Sequence, residues 1–486
     1  MKYVLGIDQS TQGTKAILMD ASGQIAGRAD RPHRQIISEE GWVSHDLNEI
    51  YDNVLAVVRD VLDLTKISPE QIAAIGISNQ RETTAIWDRN GTPLAYAVVW
   101  QCSRAKEIAQ SVSEHSELIR DKTGLELSPY FPAAKMAWLL QNTDIDQTQP
   151  GQVCLGTMDT WLIYRMTHGA AFKTDYSNAS RTQLFSIRDL QWDKEICDLF
   201  GIPMMCLPEV CDSNSVFGMT DLEGLLPGAI PIHSAIGDSH AALFGQGCHS
   251  SGKIKTTYGT GSSIMMNIGK NYVKSSHGLV TSLAWGIDGQ VDYVLEGNIN
   301  YTGAVISWLK DDVKLITSPA QTESAAALAN PLDETILVPA FSGLSAPYWN
   351  NNAKAVLYGM SRTTGRNEII KAALESIAFQ INAVLTAMVK DSGIEIREVR
   401  VDGGPTGNKY LMQLQSDLSR VIVAVANIEE LSAAGAAYLA GLGAGIYEKE
   451  TLFGREDRKR YIPAMDEERR QEKLSQWDTV IGLLMR

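Results

Sequence analysis

Residues 3–20, YVLGIDQSTQGTKAILMD, constrain the fold more than any other stretch of the chain. Two apolar runs, residues 4–7 and 16–19, flank a turn of hydroxyls, glycine and amides, and the first run delivers an acid, Asp8. The lengths predict a β-hairpin whose loop can aim backbone N–H groups at an anion. Asp8 then stands where it can hold a metal ion that the anion also touches. Residues 253–269, KIKTTYGTGSSIMMNIG, repeat the plan around Gly259-Thr260-Gly261. A Gly/Ser/Thr turn by itself is merely a turn. Two of them half a chain apart, one with an acid, predict two related domains facing one phosphate-bearing ligand.

At 486 residues the chain is too long for one ordinary core, so two large domains are expected, divided as 1–246 and 247–486. A net charge of −14 argues against a nucleic-acid or anionic-membrane surface. The six cysteines form no CxxC pair and no dense framework, which fits reduced thiols in the cytoplasm. The N-terminus enters a strand within a few residues, so no signal peptide is expected. The Gly/Ala-rich run 431–446 is too short to span a bilayer and reads as a buried, closely packed helix.

Between the hairpins, Asp46 and Glu49 form a capping box before a helix with apolar residues at Ile50, Val54, Val58 and Val61. Strands are predicted over 72–78, 84–87 and 95–100, and helices over 104–120 and 132–142. Residues 79–82, Asn-Gln-Arg-Glu, sit at a strand end, where α/β folds bind ligands. Residues 170–236 read as loop-rich, with four prolines. Asp238 then follows a glycine at a helix start, a position that serves a helix cap or a general base. In the second half a strand is predicted over 293–296, and helices over 302–310, 367–390 and 409–418. The last of these follows a third glycine turn, residues 403–408. The charged C-terminal helix from Glu467 reads as peripheral.

Three glycine/hydroxyl turns and two acids are an inventory for phosphoryl transfer, which needs donors around phosphates, a bridging metal and a carboxylate near the acceptor hydroxyl. The sequence lacks GxxxxGK[ST], the HRD and DFG motifs, HExxH, and GxGxxG after the first strand. P-loop enzymes, protein kinases, zincins and Rossmann dehydrogenases are set aside.

Along nearly its whole length the chain resembles the FGGY carbohydrate kinases, and among them the glycerol kinases. The resemblance is carried by GIDQST at 6–11, GWVSHD at 41–46, NQRETTAIWD at 79–88, SPYFPAAKMAWLL at 128–140, GDSHAALFGQ at 237–246, YGTGSSIMMNIG at 258–269 and VDGGPTGNKYLMQ at 401–413. It implies an α/β fold of two actin-like (ribonuclease H-like) domains, with ATP and Mg²⁺ in the cleft between them. Carried over residue by residue, Asp8, with Asp238, resembles the metal-associated acid. Thr11, with Gln12, Gly13, Thr14 and Lys15, resembles the first phosphate loop, and Thr260 with Gly261 the second. Gly303, Ser307, Gly404 and Asn408 resemble nucleotide-binding positions. Asp238 resembles the catalytic base, and Arg81, Glu82, Trp100 and Tyr130 the polyol-binding set.

Lys15 stands where glycerol kinases usually carry Arg, and three further positions depart from them. Ser239 stands where they carry Gln, Ser263 where they carry Phe, and Cys102 where they carry Asp. Ser239 and Ser263 join the substrate-binding set, and their small size predicts an acceptor longer than glycerol: a tetritol, pentitol or ketopentose. Glycerol itself is the alternative. A nucleotide-switched binding protein on the same scaffold is the alternative of another class, which would not require Asp238, Arg81 or Glu82. The expected partners are a small polyol or sugar, with no nucleic acid and no membrane, and there is room for a homodimer or higher homo-oligomer.

Overall fold

The structure, a computed structural model, describes residues 2–144, 150–428, 430–454 and 458–485. The first hairpin forms as expected: Tyr3–Gln9 and Gly13–Met19 pair antiparallel, with Asp8 opposite Lys15. It is the centre of a six-stranded sheet ordered Gly218–Thr220, Ile230–Gly237, Ile72–Asn79, Tyr3–Gln9, Gly13–Met19, Ile25–Pro32. Ile72–Asn79 lies parallel to Tyr3–Gln9, and Ile230–Gly237 parallel to Ile72–Asn79. These inner strands are buried on both faces, which is why they read as continuous apolar runs.

The second hairpin repeats the build. Ile254–Tyr258 and Ser262–Gly269 pair antiparallel, and Glu398–Asp402 then Ile422–Val425 add on in parallel. The full seven-stranded order is Val280–Ile287, Gln290–Ile299, Ser262–Gly269, Ile254–Tyr258, Glu398–Asp402, Ile422–Val425, Lys459–Tyr461. Two sheets wound alike, each from an antiparallel hairpin plus parallel strands, make the two-domain actin-like α/β plan. A five-stranded sheet holding Thr84–Asp88 and Val153–Thr157, backed by helix Pro132–Asn142, enlarges the first half.

Helix Leu431–Gly443 belongs to the second half of the chain but lies on the first sheet. A Cβ on Gly6 would sit 2.7 Å from the Ala433 carbonyl oxygen, and one on Gly76 2.2 Å from that of Ala436. On its other flank, a Cβ on Gly435 would sit 1.9 Å from the Ala241 carbonyl oxygen, in helix Asp238–Gly245. The small residues are there because three backbones touch. Helix Arg366–Ser392 is long and apolar enough to cross a membrane, but most of it is buried. Its Ile377, Ile381 and Val384 share one core with Ile264 and Leu295 of the second sheet.

Several expectations need correction. The 170–236 region contains the inner strand Ile230–Gly237; Pro231 near its start, opposite Met219 of the short outer strand, masked it. Strands Ile25–Pro32 and Val280–Ile287 were not anticipated. The 104–120 helix is two short ones, Lys106–Ser111 and Ser116–Thr123, with a 3₁₀ turn between. The 95–100 strand shrinks to Ala97–Val98. The 302–310 helix is Gly303–Ser307, widening into a π turn. The C-terminal helix Glu467–Leu484 is anchored, with Trp477 buried and stacked on Phe379 at 4.9 Å.

Candidate active site

Three parallel strands of the first sheet finish at one edge. Asp8 is level with Ser78, and Asn79 with Gly237, so Asp8, residues 80–82 and Asp238 converge there. Asp8 is buried and accepts one hydrogen bond, from Ser78 Oγ at 2.8 Å. Burial pushes its carboxyl up to about 7; the Ser78 bond opposes this and nearby Asp238 adds to it. Asp238 opens helix Asp238–Gly245, is one-third exposed, and accepts from the Ser239 N–H at 2.5 Å and Arg81 Nε at 3.1 Å.

Arg81 and Glu82 stand in a buried ion cluster. The Arg81 fork donates to both oxygens of Glu296, at 3.0 and 3.1 Å, and its Nη2 also reaches Ser239 Oγ at 3.2 Å. Arg181 donates to Glu82 at 2.6 Å and to Glu296 at 2.9 Å. The backbone at Glu82 is left-handed, φ 63°, an unfavourable state for glutamate that points to a constrained site. Burial pushes Glu296 up, but Arg181 and Arg81 outweigh it and hold the carboxyl well below the usual range.

Sequence reasoning missed Arg181 and Glu296. The available signal was an acid inside the apolar strand run Tyr293-Val-Leu-Glu296, since a buried carboxylate calls for a cation.

An aromatic wall closes the other side. Trp100 Nε1 donates to Thr11 Oγ1 at 2.9 Å, and Tyr130 meets the Trp100 ring edge-on at 5.5 Å. Beneath them the fully buried Lys135 ammonium donates to the main-chain carbonyls of Trp100, at 3.1 Å, and Tyr130. Burial pushes this ammonium down to about 7, against the pull of Glu82.

The first-turn residues divide. Ser10 closes the turn onto the Gly13 carbonyl through its N–H and its Oγ, both at 2.9 Å, leaving Thr11 and Gln12 at the tip. Gly13 abuts the third strand, where a Cβ would lie 2.5 Å from the Arg31 carbonyl oxygen. Thr14 is buried with its hydroxyl unpaired, so its side chain lies inside the hairpin, away from the tip. Lys15 is ion-paired with Glu430 at 2.6 Å, yet near enough to Asp8 to draw its pKa down.

The second-half candidates come together. Thr260 is exposed at its turn tip, and its carbonyl accepts from the N–H groups of Thr302 and Ala304 at 3.0 and 2.9 Å. A Cβ on Gly303 would lie 2.7 Å from the Gly259 carbonyl oxygen, and one on Gly261 2.3 Å from that of Ile299. Gly403, at φ 98°, seats the third turn on the Tyr258 carbonyl and leaves Gly404 facing open space. Asn408 caps the following helix through Leu411 N–H, 3.0 Å, and donates to Thr322 at 3.0 Å. Ser307 lies exposed one turn along from Gly303.

These residues fit a metal–nucleotide. Among the described residues no group of three or more His, Cys, Asp or Glu could hold a metal alone. A buried carboxylate with one donor, beside a second carboxylate, is instead a hard-oxygen donor set that a divalent cation such as Mg²⁺ would fit. Gly404 faces open space and Thr260 is exposed at its tip, so phosphate can approach both turns.

The family model for the N-terminal domain of the FGGY family of carbohydrate kinases matches residues 3–245, and that for the C-terminal domain matches 254–444. The chain belongs to the FGGY family of carbohydrate kinases. It is 43% identical over 487 residues to a glycerol kinase of Staphylococcus haemolyticus, covering 99% of this chain and 98% of that protein. The solved Plasmodium falciparum glycerol kinase with ADP superposes with a TM-score of 0.94 at 36% identity, over 100% of this chain and 99% of that one. A ligand-bound xylulose kinase from Lactobacillus acidophilus shares the fold, TM-score 0.86 at 22% identity, over 100% and 97% of the two chains. This FGGY protein is an ATP-dependent sugar or polyol kinase, acting on a small molecule.

Proposed function

We propose that this kinase phosphorylates a polyol or ketose of four or five carbons, with magnesium as the metal and the cytoplasm as its compartment. The observation that carries the reading is the pair of serines at 239 and 263, short hydroxyls where glycerol kinases carry Gln and Phe. Glycerol would leave polar groups around them unpaired, at about 1–3 kcal/mol each. Buried polar groups of this kind discriminate strongly between acceptors.

Glu82 and Arg81 offer acceptor and donor atoms to adjacent hydroxyls, and Trp100 with Tyr130 covers their C–H face. Asp238 orients the attacking hydroxyl and takes its proton as the phosphoryl group arrives. Arg81, bonded to Asp238 and Ser239 at once, links the position of the base to that of the acceptor. Thr11 and Gln12 from one lobe, and Thr260, Gly261 and Gly404 from the other, offer donors to the triphosphate, while Gly303, whose N–H is spent on the Gly259 carbonyl, lends only a backbone surface without a side chain. Asp8 would hold a magnesium ion, which when bound would supply charge neutralisation at the phosphate oxygens.

Glycerol is the second reading, favoured by the 43% identity to a glycerol kinase and by the presence of Arg81, Glu82, Trp100 and Tyr130. A coupled ADP-release panel with ATP-Mg separates the two. The expected result is a higher kcat/KM for a four- or five-carbon acceptor, and a clear preference for glycerol overturns it.

A further inference from the structure

We infer that Lys255, Ser263 and Asn298 form a polar subsite that binds a hydroxyl of the acceptor beyond the unit held by Arg81 and Glu82. The inference rests on the longer-acceptor reading and adds residues to it.

The sheet register assembles this set. Lys255, Met265 and Glu296 lie in one row across three strands, and Thr257, Ser263 and Asn298 in the next. Alternation along a strand puts both rows on one face. That face meets the first lobe, because Glu296 on it is gripped by Arg81 and Arg181. The subsite therefore borders the cluster proposed to hold the acceptor.

Lys255 is short of partners. It is 1% exposed, yet among the described residues its ammonium makes a single hydrogen bond, to Ser263 Oγ at 3.3 Å, and no ion pair. Three donors with one long neutral acceptor leave a deficit that buried groups rarely carry. Burial pushes this ammonium toward its neutral form, while Asp402 pulls the other way without reaching it. Ser263 Oγ keeps its own proton to donate. Asn298 spends its amide N–H on Glu296, at 3.1 Å, and keeps its carbonyl oxygen as an acceptor. A donor, a hydroxyl and an acceptor in a row suit a hydroxyl, which gives and takes hydrogen bonds. On helix Asp238–Gly245, His240 is buried with neither ring nitrogen paired, and both Lys255 and Glu296 act on it electrostatically. The polar deficit is thus found on both walls.

The opposing carboxylates select between acceptor chemistries. Asp238, Glu82, Glu296 and Asp402 act on Lys255, Arg81 and Arg181, so the carboxylates at least balance the basic groups. An acceptor carboxylate would enter a region with no surplus positive charge, whereas a neutral hydroxyl meets no such barrier.

The test compares kcat/KM for glycerol, erythritol, ribitol and xylulose in the wild type, Lys255→Met, Asn298→Ala and Ser263→Phe. In each variant the ratio of the best longer acceptor to glycerol should fall tenfold or more. If Lys255→Met does not fold, Asn298→Ala decides, together with the wild type's own response to a deoxy analogue lacking the distal hydroxyl. That analogue should lose tenfold or more in kcat/KM. A wild type that prefers a longer acceptor, with ratios unmoved in the folded variants and no loss on the deoxy analogue, overturns the subsite and leaves the longer-acceptor reading intact. A wild type that prefers glycerol overturns both.

Discussion

The two hairpins share a backbone and differ in what their side chains carry. The first holds a buried acid, Asp8, close under its turn, and the turn is tied to the aromatic wall through Thr11 and Trp100. The second has no acid in strand Ile254–Tyr258; it carries the buried cation Lys255, and glycines on both sides of Thr260. Its turn rests on the start of the helix at Gly303 through backbone contacts, joined by a bond between the Ser262 and Thr302 hydroxyls at 2.7 Å. The same backbone geometry occurs twice, and a few positions give one lobe the carboxylates and the other glycines and hydroxyls. The lobes are stitched by Glu296, which belongs to the second sheet and is bonded by two arginines of the first half.

If the first lobe carries the chemistry, Asp238→Asn gives the largest effect: kcat down about 10³-fold, with the affinity for an ATP analogue by calorimetry little changed. Turnover near wild type would remove Asp238 from the role of base. Next, Glu296→Gln removes the carboxylate that two buried arginines share, leaving Arg81 with Asp238 and Arg181 with Glu82, and should destabilise the protein by about 3 kcal/mol in urea unfolding. A loss under about 1 kcal/mol would mean that the cluster does not join the lobes.

The contrast between the hairpins is read directly by Asp8→Asn against Thr260→Val. The first should cost about 10²-fold in kcat and shift the Mg²⁺ titration. The second should cost about tenfold, chiefly in KM for ATP, as one lost hydrogen bond to a charged group. Equal losses would say that the hairpins do the same work. The smallest effect belongs to Lys15→Ala. Its pair with Glu430 ties the first hairpin to the second half, but the lysine is 37% exposed, so water screens it and the change in stability should stay within about 1 kcal/mol.

What the sequence determined by itself was whatever short-range order controls. Both hairpins, the bounds of helix Pro132–Asn142, the long helix, the placing of Asp8 at the edge of the first turn and that of Asp238 at a helix start follow from period, turn residues and caps. Those signals act within a few residues and survive without tertiary context. The tertiary structure decided the rest. Arg81 and Glu296 are separated by 215 positions, and Arg181 and Glu296 by 115, so no local pattern announces their pairing. Thr14 and Lys15 look equivalent to Thr11 along the chain, but the packing of the third strand and Glu430 turned them to other tasks. Helix Leu431–Gly443 announced its close packing through its small residues, while its partner, the sheet of the opposite half, was chosen by the fold. Propensity specifies how a segment is built; only the closed chain fixes which buried charges and which backbones meet, because burial is a property of the whole.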